Sequence, residues 1–124
     1  MSACMETPKS ILVIEDEPLI AMMLEDYIDM LGHKVVGTVD SVADALDHIG
    51  QGGFDAAILD VHLRGGEPSW PVADALADSG VPFLLATGGL TEEAPARHAE
   101  APILPKPFTI DGVRAALDGC FASG

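Results

Sequence analysis

AILDVHLRGGEPSW, residues 57–70, begins as a buried strand and ends as a turn. Ala57, Ile58 and Leu59 lead straight into a carboxylate, Asp60. A short apolar run bounded by turn residues suits a strand covered on both faces. Gly65, Gly66 and Pro68 then supply the turn chemistry. Doubly covered strands belong to parallel sheets flanked by helices. A negative charge at the end of such a strand calls for a chemical reason.

The neighbouring segments alternate in period. Ser10 to Ile14 (SILVI) is short, β-branched and apolar, and reads as another buried strand. From Pro18 to Leu31 the apolar residues Ile20, Leu24, Tyr27, Ile28 and Leu31 recur at helical spacing. Pro18 suits the first turn of that helix and Gly32 its end. Lys34 to Thr38 reads as a second strand. Ser41 caps a helix whose apolar side is Val42, Ala45, Leu46 and Ile49, closed by Gly50, Gly52 and Gly53. Ala56 to Leu59 is the third strand, followed by a loop and a helix near Pro71 to Ser79. Val81 to Ala86 is the fourth strand, and Ile103 with Leu104 a short fifth. Thr109 caps the last helix, with Ile110, Val113, Leu117 and Phe121 on one face. Between strands four and five, Thr91 to Glu100 holds Pro95 and only alanines as apolar residues, so its helix is expected to be short or mobile.

Strands that alternate with helices predict an α/β doubly wound fold, a five-stranded parallel sheet with helices on both faces. At 124 residues one domain is expected, 1–124, with its core over about 10–121 and no output domain after the last helix. Hydrophobic residues make up 48% and aromatics 5%, so the core is aliphatic. No apolar run is long enough for a bilayer, and the start lacks the pattern of a secretory leader. Cys4 and Cys120 read as free thiols of a reducing cytoplasm, with a bridge between the termini as the alternative. Twenty acidic residues face six basic ones, a formal net charge of −14. Such a surface repels phosphate backbones, which argues against direct nucleic-acid binding; no membrane partner is expected either.

In an open parallel sheet, ligands sit beyond the carboxyl ends of the strands. Glu15, Asp16 and Glu17 follow the first strand, and Asp60 the third. Thr87, Gly88 and Gly89 follow the fourth, and Lys106 the fifth. Carboxylates brought close together either take up protons or are neutralised by a cation. Mg²⁺ takes oxygen ligands, often one or two carboxylates with water and phosphate completing the octahedron. A lysine adds fixed positive charge, and a hydroxyl with glycine N–H groups adds donors for an anion. The set suits a phosphoryl group carried on a carboxylate.

These residues carry a family resemblance. Val13-Ile-Glu-Asp-Glu-Pro, Ile58-Leu-Asp-Val, Ala86-Thr-Gly and Pro105-Lys-Pro-Phe resemble, in order and spacing, the motifs of response-regulator receiver domains, the CheY-like family of two-component signalling. The resemblance runs from about Ser10 to Phe121. It implies the strand order 2-1-3-4-5. It implies that Asp60 accepts a phosphoryl group from a phosphohistidine and also touches Mg²⁺. Asp16 is then a direct metal ligand, Glu15 its helper through water, and the backbone carbonyl of His62 a further ligand. Thr87 matches the switch hydroxyl and Lys106 the phosphate-pairing lysine, aimed by a cis bond to Pro107. The implied partners are a sensor histidine kinase or phosphotransfer protein and a downstream protein target. A homodimer through the fourth helix and fifth strand is a further family expectation.

Ile103 stands where the family's aromatic rotamer switch usually lies. The string Phe83-Leu-Leu-Ala-Thr-Gly-Gly-Leu resembles an alphaproteobacterial subclass with a Phe-Ala-Thr-Gly-x-Tyr motif, whose kinases are often of the HWE type. Leu85 and Leu90 replace both of its aromatics. That subclass would fit a weak helix over 91–100, whose ordering is then the candidate switch. Gly89 leaves the phosphate open to water, so a short-lived mark is expected. Plainer roles are expected elsewhere: Glu17 as a helix N-cap, Trp70 packed at the start of the third helix, His33, His48 and His98 on the surface, and the methionines as core or helix filler. The ring of His62 is expected to line the pocket mouth, with its carbonyl rather than its ring in the chemical role. Rival readings are a hydrolase of the haloacid dehalogenase type, a small flavodoxin and a receiver that acts as a scaffold without phosphorylation. The first lacks its Asp-x-Asp motif here, the second its phosphate loop and aromatic shields, and the intact acid set argues against the third.

Overall fold

The computed structural model describes residues 9–60, 62, 63, 67–87, 103–105 and 109–123. Strand β1 (Ser10–Ile14) is followed by helix α1 (Pro18–Met30), β2 (Lys34–Val39), α2 (Val42–Gln51) and β3 (Ala56–Asp60). A small hairpin comes next, β4 (His62–Leu63) and β5 (Glu67–Pro68). Helix α3 (Trp70–Asp78), β6 (Phe83–Thr87), β7 (Ile103–Pro105) and α4 (Ile110–Ser123) complete the order. The main sheet has the order β2-β1-β3-β6-β7, and each adjacent pair is parallel. The helix expected over 91–100 lies outside the described residues.

Period-two alternation splits the core between two faces. Ile11 and Val13 of β1, Ala56 and Ile58 of β3, and Leu84 and Ala86 of β6 share a cluster with Ala21, Leu24 and Ile28 of α1 and Val113 and Leu117 of α4. Leu12, Ile14, Ala57, Leu59, Phe83 and Leu85 point the other way, to Ala45 and Ile49 of α2 and Val72, Ala73 and Leu76 of α3. All five residues of β3 are buried, Asp60 included. The central strand therefore has no freedom to slip, because a shift of one residue would exchange its two faces.

Local chemistry sets several boundaries. The Asp44 N–H donates to Ser41 Oγ at 3.2 Å, so Ser41 caps α2 as expected. The Gly112 N–H donates to Thr109 Oγ1 at 3.0 Å and starts α4 in the same way. Gly32, with φ of 88°, turns the chain out of α1 in a conformation that a side chain would disfavour. Strand β6 begins at Phe83, two residues later than its apolar run. The Val81 N–H is spent on the Leu76 carbonyl at 2.9 Å, closing α3, and Pro82 has no N–H to give.

Three expectations are corrected. The loop after Asp60 contains a two-stranded antiparallel ladder, with His62 opposite Pro68 and Leu63 opposite Glu67. Strand β2 is not buried throughout: its exposure alternates because it is an edge strand, and its pairing with β1 shifts at Ile11/Leu12, leaving Val36 as an extra residue. His33 and His48 are half-buried rather than superficial. The Lys9 N–H donates to His33 Nδ1 at 3.1 Å. The His48 ring lies over Gly37, with its Cε1 2.9 Å from where a Cβ would sit.

Replacing Ser41 with alanine removes the cap acceptor of α2. The expected loss of stability is about 1 kcal/mol, read from urea unfolding with the slope unchanged.

Candidate functional site

The register of the central strands builds the site. Ile14 lies opposite Leu59, and Asp60 lies opposite Ala86. The next residue after Ile14 is Glu15, whose N–H donates to the Val39 carbonyl at 2.9 Å and prolongs the β1–β2 ladder. Three strands of packed aliphatic residues thus end at the same level.

Glu15, Asp16 and Asp60 form a cluster whose carboxylate oxygens, one from each residue, lie within 4.8 Å of one another. Glu15 is 3% exposed and Asp60 8% exposed, while Asp16 is half-buried. Three like charges at this separation repel by roughly 1 to 4 kcal/mol per pair, depending on how well water screens them. The apolar strands on which they stand keep them from moving apart.

Glu15 is held by a contact that residue patterns do not reveal. The Glu17 N–H donates to Glu15 Oε2 at 3.2 Å. Glu17 sits at the N-cap position of α1, but its own side chain makes no capping bond. Glu17 thus takes the expected N-cap position, and its backbone rather than its carboxylate makes the hydrogen bond there. Pro18 at the first turn has no N–H, so the Glu17 amide is the last one before it. The other oxygen of Glu15, Oε1, is buried and accepts no hydrogen bond among the described residues.

The donor set fits a hard divalent cation. It offers only carboxylate oxygens, one from each of three residues close enough together to share an ion. Mg²⁺ needs only one or two such carboxylates, and water completes its shell.

The remaining expected residues fall unevenly. Thr87 closes β6 and lies opposite Pro105 of β7, so its backbone stands beside the strand end that carries Asp60. His62 begins the β4–β5 hairpin two residues beyond Asp60. Lys106, Gly88, Gly89 and Pro107 lie outside the described residues. Trp70 opens α3 and packs against the cluster on the α2–α3 side, as its position in the sequence suggests.

Comparison with known proteins agrees with this geometry. The family model described as the response regulator receiver domain matches residues 11–118, and the chain belongs to that family. The phyllosphere-induced regulator PhyR of Methylorubrum extorquens is 35% identical in a 113-residue alignment that covers 86% of this chain and 41% of PhyR. The chain thus spans less than half the length of that curated relative. The solution structure of SdrG from Sphingomonas melonis Fr1 is 55% identical, covers 98% of this chain and 99% of SdrG, and superposes with a TM-score of 0.83. SdrG in its BeF3-activated conformation is 58% identical over 88% of this chain and 92% of that one, with a TM-score of 0.76. The anti-anti-sigma factor PhyR from Bartonella quintana is 28% identical over 94% of this chain and 49% of that one, with a TM-score of 0.80. No helix among the described residues is long and apolar enough to cross a membrane.

Neutralising one member of the cluster separates repulsion from cation binding. Asp16→Asn is expected to raise the melting temperature without divalent ions and to abolish most of the rise that Mg²⁺ produces in the unaltered protein. Differential scanning fluorimetry over a Mg²⁺ series reads both effects; a rise of the same size in the variant contradicts the metal assignment.

Proposed function

We propose that this chain is a receiver domain that accepts a phosphoryl group on Asp60. The observation that carries the reading is the meeting of Glu15, Asp16 and Asp60 at the end of buried strands. Membership of the receiver family and the BeF3-activated form of SdrG support it, since beryllofluoride on a carboxylate imitates a phosphoryl group.

Asp16 and Asp60, with Glu15 through water and the carbonyl of His62, would hold Mg²⁺. When bound there, the cation offsets charge on the phosphoryl oxygens. An Asp60 oxygen attacks phosphorus in line with the donor imidazole. The P–N bond breaks as the P–O bond forms, and the imidazole leaves with a proton. The rigid β3 strand holds the nucleophile in place, which lowers the entropic part of the barrier. Lys106 pairs with a phosphoryl oxygen and Thr87 donates its hydroxyl to another. Drawing Thr87 and Lys106 toward the phosphate shifts the segment between β6 and β7 and alters a protein contact.

The donor in this reading is a sensor histidine kinase, of the HWE type, or a phosphotransfer protein, met in the cytoplasm. The receiver passes its state to a downstream protein, or serves as a relay step or sink for phosphate. Its only catalysis is on itself. Pairing of two copies is a further element of the reading.

Incubation with acetyl phosphate and Mg²⁺ is expected to add one phosphoryl group by intact mass, with no gain in Asp60→Ala or with the divalent ion chelated. The mark is expected to decay quickly once donor is removed. Gain retained in Asp60→Ala contradicts the acceptor, and persistence for many hours contradicts the expected short-lived mark.

A further inference from the structure

Helix α1 is apolar on the side where solvent should be. Ala21, Leu24 and Ile28 face the core, and Ile20, Met23, Tyr27 and Leu31 pack at its margins. The opposite stripe is Leu19, Met22, Asp26 and Met30, spaced by three, four and four residues. Leu19 is 78% exposed, Met22 58% and Met30 64%. An amphipathic helix normally keeps that stripe polar. Here three of its four positions are large and hydrophobic, and two of the three are thioethers.

We infer that Met22 and Met30 form a pair of peroxide-oxidisable modification sites that switch the outer face of α1 from apolar to polar. A sulfur lone pair attacks one oxygen of a hydroperoxide. The S–O bond forms, the O–O bond breaks, and the other oxygen departs as water or alcohol after proton transfer. Sulfur loses two electrons and the peroxide gains them. A dithiol-dependent reductase reverses the step, taking the oxygen off as water and becoming a disulfide. The sulfoxide is polar, so the change removes apolar surface where the helix presents most of it.

The placement confines the effect to that surface. Met23, one residue along, is half-buried against the core and serves as an internal comparison. Neither Met22 nor Met30 belongs to the buried clusters or to the acidic site. The folded protein therefore accepts both oxygens without losing its core.

The test exposes the folded protein to hydrogen peroxide and follows Met22, Met23 and Met30 separately by cleavage at acidic residues and fragment-ion mass spectrometry, which assigns the oxygen to one or other of the adjacent methionines. Met22 and Met30 are expected to gain one oxygen each several-fold faster than Met23. Retention on a phenyl column is expected to fall in step, with the melting temperature unchanged, and to return after methionine sulfoxide reductase and thiol are added. The Met22→Leu/Met30→Leu variant keeps side-chain volume and is expected to hold its retention under peroxide, which isolates α1 from Met1 and Met5. Equal rates at the three positions, an unchanged retention, or the same fall in the double variant overturns the inference. Phosphoryl uptake is measured in parallel, so failure there stands apart from failure here.

Discussion

Charge repulsion held in place by hydrophobic packing is the constraint on which the site depends. Glu15, Asp16 and Asp60 bring three carboxylates within 4.8 Å of one another. Ile11 to Ile14 and Ala56 to Leu59 are almost wholly buried, so the strands that carry them cannot slide or tilt without opening the core. Packing on both faces of the sheet thus holds an electrostatic cost at one end. In the proposed function, a cation and an incoming phosphoryl group would meet at that end, with no mobile part needed in the strands themselves.

The same economy explains how the helices contribute. The entry to α1 supplies the Glu17 amide that orients Glu15. Pro18 fixes the first turn and withholds a competing donor. The β4–β5 hairpin starts two residues after Asp60 and brings the chain back to Ser69, which is fully buried at the start of α3. Acid positions are thus set from both the strand before and the turn after, leaving the side chains little room to rearrange.

Much of this was legible from residue order. Ala57-Ile-Leu could only be a buried strand, so Asp60 had to emerge at its end. Ser41 and Thr109 announced their helices through their hydroxyls. The meeting of Glu15, Asp16 and Asp60 followed once the strands were read as parallel. What escaped was tertiary. Nothing in Val35-Val36-Gly37 marks an extra residue in the edge ladder, because the shift depends on β1 beside it. His33 and His48 looked superficial since their partners, the Lys9 amide and Gly37, lie far along the chain. The hairpin hid among glycines and a proline, whose turn signal outweighed two residues of pairing on each side. Glu17 resembled a cap by type, whereas its amide is the part that matters.

The central claim is that the buried β3 strand presents one particular carboxylate as the phosphoryl acceptor. Borohydride reduces an aspartyl phosphate to homoserine, so the acceptor can be located directly in the chain. After treatment with acetyl phosphate and Mg²⁺, reduction and peptide sequencing by mass spectrometry, homoserine is expected at position 60 and at no other aspartate. Homoserine at Asp16, or at an aspartate outside the cluster, would contradict it.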